Sequence, residues 1–154
     1  MDRPASDGFM ARALDEARAA QARGEVPVGA VVVDAATGNV IARAGNETEA
    51  AHDPTAHAEI LALRRAAKAK GEPRLAGCDL YVTLEPCAMC AAAISHARIR
   101  RLYFGAYDPK GGGVEHGPRF FSQPTCHHAP EVVGGVGETA AADLLRAFFQ
   151  DKRG

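Results

Sequence analysis

The spacing of apolar residues in the first third of the chain changes from a helical period to a strand period. Over residues 6–23, apolar side chains recur at helical spacing with charged ones between them, which predicts an amphipathic helix ending near Gly24. Residues 28–33 and 40–43 are rich in β-branched side chains and flank a turn that contains Gly38, as in a β-hairpin. The first run is apolar at almost every position, which predicts a central strand covered on both faces.

The rest of the chain alternates between strand-like and helix-like patterns. It predicts, in order, a helix at 56–70, a strand at 79–83, a short helix at 88–95, strands at 99–105 and 131–133, and a helix at 140–149. The connection over residues 107–130 is long enough to cross over, so we expect the last strand to run parallel to its neighbour. Together these elements predict an α/β fold, a three-layer α/β/α sandwich, in one domain over residues 1–154.

The composition is that of a globular domain whose net charge is close to zero. The 154 residues are 47% hydrophobic and carry a formal net charge of −1, which argues against a general nucleic-acid binder. No cationic and then apolar segment opens the sequence, and no apolar run approaches the ~20 residues of a membrane-spanning helix. We therefore expect a cytoplasmic protein with no membrane partner.

The charges are distributed unevenly along the chain. Residues 54–101 contain eight basic and four acidic residues, whereas residues 1–53 contain five basic and nine acidic ones. The basic residues of this segment are Arg64, Arg65, Lys68, Lys70, Arg74, Arg98, Arg100 and Arg101. The surplus has two interpretations, an ordinary solvated helix face or a surface that binds nucleic-acid phosphates.

Cys87 and Cys90 form a C-x-x-C pair, and His57 lies upstream of them. In a chain with few cysteines, this combination indicates metal binding in a reducing compartment and not a disulfide framework. Three protein ligands are typical of catalytic zinc, which keeps a fourth position for water, so we predict one Zn²⁺ per subunit on these residues. The alternative is a closed structural site with Cys78 or Cys126 as the fourth ligand.

The positions of these residues along the chain suggest that two helix N-termini meet at the metal. Cys87 and Cys90 are three apart and so lie on one face of the first turn of a helix, which Pro86 can open without losing a hydrogen bond. The partial positive charge at a helix N-terminus lowers the pKa of thiols and favours the thiolates that zinc binds.

His57 and Glu59 are two apart and would point about 200° away from each other on the side of a helix. Both can serve one metal only if it lies beyond the end of that helix, where Asp53 and Thr55 are suitable capping residues. Glu59 is then the expected proton carrier for hydrolysis by zinc-activated water.

Other reactive side chains have simpler interpretations. His127 and His128 beside Cys126 could form a second metal cluster or belong to the structure of a loop. Met89 is expected to fill the core, and Cys78 to be a buried residue that opens a strand.

An H-x-E element followed by P-C-x-x-C is the signature of zinc-dependent base deaminases. Three stretches resemble the bacterial tRNA-specific adenosine deaminases: DPTAHAEI at residues 53–60, LYVTLEPC at residues 80–87, and FGA at residues 104–106 with Asp108 and Lys110 after it. The resemblance implies a sandwich of the cytidine deaminase type, with a five-stranded mixed sheet between helices, and a homodimer. It also implies zinc-dependent hydrolytic deamination of adenosine to inosine at the wobble position of a tRNA anticodon, with the anticodon loop as the partner.

The resemblance further implies a set of substrate contacts. Asn46 would contact the base or ribose, Val28 and Pro86 would wall the ring, Asp108 would reach the ribose, and Phe149 would border the channel of a flipped nucleotide. From the residues alone, Asn46 could also be a turn residue and Phe149 a core aromatic.

Two other functions stay open from the sequence. A salvage deaminase of a free base or nucleoside, such as guanine, cytosine or cytidine, would suit the near-zero net charge. Residues 111–130 depart most from the family pattern, and they bear on substrate identity. A non-catalytic, deaminase-like RNA-binding subunit is the third possibility, although such a subunit would have no need of Glu59.

Overall fold

The computed structural model describes residues 8–153, and its centre is a five-stranded mixed sheet in the order β2-β1-β3-β4-β5. The strands are β1 Gly29–Asp34, β2 Val40–Gly45, β3 Cys78–Leu84, β4 Arg101–Ala106 and β5 Glu131–Val133. β1 is antiparallel to both β2 and β3, whereas β4 is parallel to β3 and β5. The predicted hairpin and the parallel last strand are both confirmed.

Within residues 8–153, four α-helices and one short 3₁₀ helix surround the sheet. They are α1 Phe9–Ala22, α2 Ala58–Lys70, α3 Ala88–Ala97, the 3₁₀ turn Phe120–Ser122, and α4 Glu138–Arg153. Residues 6 and 7 of the first predicted helix lie outside the described residues. Within the described part of the chain, no helix is both long and apolar enough to cross a bilayer.

The core has two halves, one on each face of the sheet. Along β1, Ala30 and Val32 pack with α2 and α3, whereas Val31 and Val33 pack with α1 and α4. Successive side chains of a strand point to opposite faces, so an unbroken apolar run suits a strand buried on both sides. The central position predicted for β1 and the three-layer α/β/α sandwich are therefore confirmed.

Within residues 8–153, four strands end at the same edge of the sheet, since β2, β3, β4 and β5 run in one direction. The residues that follow Gly45, Leu84 and Ala106 therefore emerge at one edge. Ligand sites in open α/β sheets lie outside the carboxyl ends of the strands. This edge is also where the chain enters α2 and α3.

Candidate active site and metal centre

Three candidate metal ligands meet at the N-termini of two helices. His57 is the N-cap of α2, Cys87 is the N-cap of α3, and Cys90 lies in the first turn of α3. Their ligand atoms all lie within 4.8 Å of one another. The expectation that two helix ends converge on one point, reached from residue spacing, agrees with this geometry.

The donor set fits a tetrahedral zinc ion. Bonds of about 2.3 Å to sulfur and about 2.0 Å to nitrogen, at a tetrahedral angle, place those two donors about 3.5 Å apart. His57 Nδ1 lies 3.6 Å from Cys87 Sγ and 3.5 Å from Cys90 Sγ. The side chains are therefore already at the separations that one ion requires.

The other two cysteines lie elsewhere. Cys78 is fully buried at the start of β3, and a seven-residue strand carries the chain roughly 20 Å to its far end, where the triad lies. Cys126 instead contacts Ser95 Oγ at 3.7 Å and the carbonyl of His128 at 3.2 Å. Among the described residues, neither cysteine joins the triad, so the closed four-ligand site is excluded and the triad leaves a position open.

The residues around Cys126 form a loop anchor, not a second metal cluster. His128 Nε2 lies 2.7 Å from the carbonyl oxygen of Ile99, and together with the Cys126 contacts this ties the long connection to the sheet. Within residues 8–153, the candidate metal-binding cluster is His57 with Cys87 and Cys90, whose ligand atoms lie close together.

The two ligand thiols are electrostatically unequal. A hydrogen bond between them lowers the pKa of Cys87 to about 4 and, with burial, raises the pKa of Cys90. Cys87 is therefore a ready thiolate at neutral pH. A dication would favour the thiolate form of both sulfurs.

Glu59 lies beside the triad and is almost completely buried, with 4% of its surface exposed. It lines the same cavity as His57 and Cys87. Burial raises the pKa of Glu59 to about 7, since desolvation penalises its charged form. A carboxyl group with such a pKa can both accept and donate a proton near neutrality.

The first backbone N–H of α2 is bonded by Asn46, which lies outside the helix, and not by the residues expected from the sequence. Asn46 Oδ1 accepts a hydrogen bond of 2.7 Å from the backbone N–H of Ala58. Asp53 and Thr55 were predicted to cap, but the helix begins later than residue 56, and Asp53 Oδ1 instead accepts bonds from the backbone and hydroxyl of Thr55. The capping prediction is therefore wrong, because the Asp53 side chain closes a turn that precedes the helix.

A cavity of about 660 Å³ opens from the triad. Of the predicted substrate contacts, Val28, Asn46, Asp108 and Phe149 line it. Pro86 is buried next to the metal ligands and, among the described residues, is not part of the lining. Phe149 is 45% exposed, which excludes the alternative that it is a core residue.

Several lining residues were not predicted from the sequence. They are Val26, Thr48, Leu84, Tyr107, Lys110, Gly111 and Leu145. Tyr107 and Lys110 follow the carboxyl end of β4, so the strand-end rule could have found them. Met89 had been expected in the core, but it is 36% exposed because it lies on the outer side of the first turn of α3.

The lysines and arginines of the 54–101 segment do not line the cavity. Four of its eight basic residues form ion pairs, namely Arg65 with Glu47, Lys70 with Asp34, Arg100 with Asp79, and Arg101 with Glu131. Within the described chain, the lysine or arginine that lines the cavity is Lys110, which is outside the segment. This arrangement favours the solvated-face interpretation.

Comparisons with known proteins agree with this site. The family model of the cytidine and deoxycytidylate deaminase zinc-binding region matches residues 4–106. A tRNA-specific adenosine deaminase of Agrobacterium fabrum is 64% identical over 145 residues, which cover 94% of each chain. A solved structure from studies of A-to-I editing by tRNA:A34 deaminases is 63% identical, has a TM-score of 0.88, and covers 90% of this chain and 99% of its own.

A more distant structural relative has a different substrate. The guanine deaminase of Nitrosomonas europaea is 26% identical, has a TM-score of 0.80, and the match covers 96% of this chain and 86% of that one. The zinc-binding family match and the donor geometry together identify Zn²⁺ as the cofactor. The chain belongs to the tRNA-specific adenosine deaminases of the zinc-dependent cytidine and deoxycytidylate deaminase superfamily.

Proposed function

We propose that this protein hydrolytically deaminates adenosine to inosine at the wobble position of a tRNA anticodon. The observation that carries the proposal is the 64% identity to a tRNA-specific adenosine deaminase along nearly the whole of both chains. The site supports it, because the ligand triad, a buried carboxyl group and a cavity of about 660 Å³ adjoin one another.

We infer the following division of labour. His57, Cys87 and Cys90 would hold Zn²⁺, which when bound supplies a Lewis acid that makes water nucleophilic near neutral pH. Glu59 accepts a proton from the attacking water and delivers it to the ring nitrogen beside the attacked carbon. Glu59 then takes the remaining proton of the added hydroxyl group and passes it to the departing amino group, so that adenosine and water become inosine and ammonia.

The remaining contacts are assigned by position. Asn46 Oδ1 already accepts from Ala58 N–H, so the group that Asn46 can offer a ligand is its amide NH₂, a donor to a base or ribose acceptor. Val28 would wall the ring, Asp108 would reach the ribose, and Phe149 would border the channel through which the nucleotide is flipped, whereas Pro86, which is not in the cavity lining, receives no ring contact.

We further propose a cytoplasmic homodimer with one zinc per subunit and the tRNA anticodon loop as its partner. An anticodon loop presents unstacked bases that an enzyme can take into a pocket at low cost. Exposed Tyr107 and Phe149 beside the cavity offer aromatic faces for such bases.

The experiment is to incubate zinc-loaded protein with an anticodon stem-loop that carries adenosine at the wobble position. The matched substrate has the adenosine moved one position along the loop, and parallel reactions contain free adenosine, guanine, cytosine and cytidine. Product nucleosides are identified by mass spectrometry. Inosine in the first stem-loop alone is the expected result, and turnover of a free base or nucleoside alone would overturn the proposal.

A further inference from the structure

Glu85 lies immediately after β3, two residues before Cys87, and its side chain is completely buried. It accepts hydrogen bonds from the backbone N–H groups of Asp108, Val114, Glu115 and His116, at 2.8 to 3.2 Å. Its Oε1 also lies 2.8 Å from His116 Nδ1. One carboxylate thus binds both ends of the loop over residues 108–116.

Filling the core does not require a carboxylate at this position. A buried carboxylate is costly unless hydrogen bonds satisfy it, and an apolar side chain would fill the same space without that cost. For Glu85, backbone N–H groups of one loop supply most of the hydrogen bonds that offset the cost of burial. Within residues 8–153, the ion-pair partner of Glu85 is His116, and no lysine or arginine pairs with it. The carboxylate therefore links the backbone at the two ends of that loop.

The same loop forms one wall of the active-site cavity. Asp108, Lys110 and Gly111 of the loop, together with Tyr107 just before it, line the cavity that also contains Glu59. Asp108 Oδ1 is held by the Gly111 N–H at 2.9 Å, which orients its carboxylate. The loop thus presents a carboxylate and an ammonium group, which complement the ribose hydroxyls and phosphate of a nucleotide.

The glycines of the GGG sequence at residues 111–113 explain how the loop approaches so closely. A Cβ on Gly112 would overlap the carboxylate of Glu85, and one on Gly113 would overlap the backbone of Cys87 and Ala88. Gly113 N–H also donates to the carbonyl of Pro86 at 2.7 Å. The loop is therefore packed directly against the metal-binding turn at Gly113.

We propose that Glu85 is a positioning residue that fixes the 108–116 loop as the nucleotide-recognition wall, and that it governs substrate binding and not the chemical step. The proposal rests on the proposed function for the identity of the nucleotide. Glu85 acts through the loop backbone and touches neither substrate nor metal.

The test compares Glu85→Gln with Asp79→Asn. Asp79 is a matched control, because it is a buried acid at the opposite end of β3 whose partner is Arg100. Three quantities are measured: hydrogen exchange of the 108–116 amides, zinc content, and kcat and KM for the wobble-adenosine stem-loop. Hydrogen exchange reports the loop whatever the substrate is.

For Glu85→Gln we expect amide exchange in residues 108–116 to quicken about tenfold or more, the effect of losing a hydrogen bond to a charged group. We expect KM to rise about tenfold with kcat within about threefold of wild type, and zinc to be retained. Asp79→Asn should change none of these. Unchanged loop exchange, or a fall in kcat with KM unchanged, would overturn the proposal.

Gly112→Ala gives a second, independent perturbation of the same contact should Glu85→Gln fail to fold. It leaves the carboxylate in place but forces the loop away from it, so it should reproduce the rise in KM and in loop exchange. If the wild type acts on a free base and not on RNA, the proposed function fails. The KM comparison is then made with that base, and the exchange measurement still decides the role of Glu85.

Discussion

At the scale of single residues, the chemistry depends on one carboxyl group that is buried beside three metal ligands. Glu59 is held there because α2 begins at Ala58, directly after the ligand His57, so the first helical turn brings both side chains to the cavity. Burial then raises its pKa to about 7. The position and the proton affinity of Glu59 thus both follow from where this helix starts.

Glu59→Gln should abolish turnover while the protein keeps its zinc. The amide has nearly the same shape but neither accepts nor releases a proton near neutral pH, and general acid and base catalysis contributes about 100-fold or more. Turnover and zinc content are measured together. Glu72→Gln, at an exposed position after α2, is the control and should match wild type. Cys90→Ala should lose the metal instead. Near-wild-type activity in Glu59→Gln would refute the assigned role.

Asn46→Asp and Asn46→Ala should separate the two roles of Asn46. Aspartate can still accept from the Ala58 N–H but has no NH₂ to donate, so we expect KM to rise with little loss of stability. Alanine also removes the bond to the helix N–H, which costs about 1 kcal/mol of unfolding free energy. Urea unfolding and steady-state kinetics measure the two effects. Equal KM values for Asn46→Asp and wild type would exclude donation from the amide.

At the scale of elements, the sheet positions the site by bringing the carboxyl ends of β2, β3 and β4 to one edge, and it is covered closely on both faces. α1 lies so near β1 that a Cβ on Gly29 would overlap the backbone of Ala13 and Ala17. The first residue of β1 therefore has no room for a side chain on the face that α1 covers.

Gly29→Ala should destabilise the protein by about 3 kcal/mol or more, because the added carbon must displace helix backbone. Gly38→Ala is the matched control. It lies in the open hairpin turn at φ +76, where the cost is backbone strain of about 1 kcal/mol. Denaturant unfolding of both variants gives the comparison, and similar losses would contradict the close approach of α1.

The acid stability of the fold should reflect Glu85. Burial raises the pKa of Glu85, but the hydrogen bonds that it accepts outweigh burial and hold the pKa below its ordinary value of 4.5. Because the folded pKa is the lower one, this stabilisation is complete above about pH 4.5 and is lost as pH falls through the folded pKa. The difference in unfolding free energy between wild type and Glu85→Gln should therefore shrink below about pH 4.5. A difference that stays constant to about pH 3 would contradict this.

At the scale of the whole molecule, local patterns predicted the sandwich and the ligand triad well. Each successful prediction used residues that are close together in the sequence, where spacing is informative. Examples are the apolar run of β1, the long crossover, and the H-x-E and P-C-x-x-C motifs. Contacts between distant residues were missed. Asn46 bonds the first N–H of a helix 12 residues away, and Glu85 binds donors 23 to 31 residues away, which no local pattern reveals.

The central claim is that this site acts on adenosine in an anticodon loop and not on a free base. The most direct measurement is a competition, with the wobble-adenosine stem-loop and free guanine at equal concentrations in one reaction and both products quantified by mass spectrometry. The ratio of initial rates gives the ratio of kcat/KM values. Our account predicts that kcat/KM for the stem-loop exceeds that for guanine by at least about 100-fold. The Glu59→Gln variant should convert neither substrate. Preferential conversion of guanine would contradict our account.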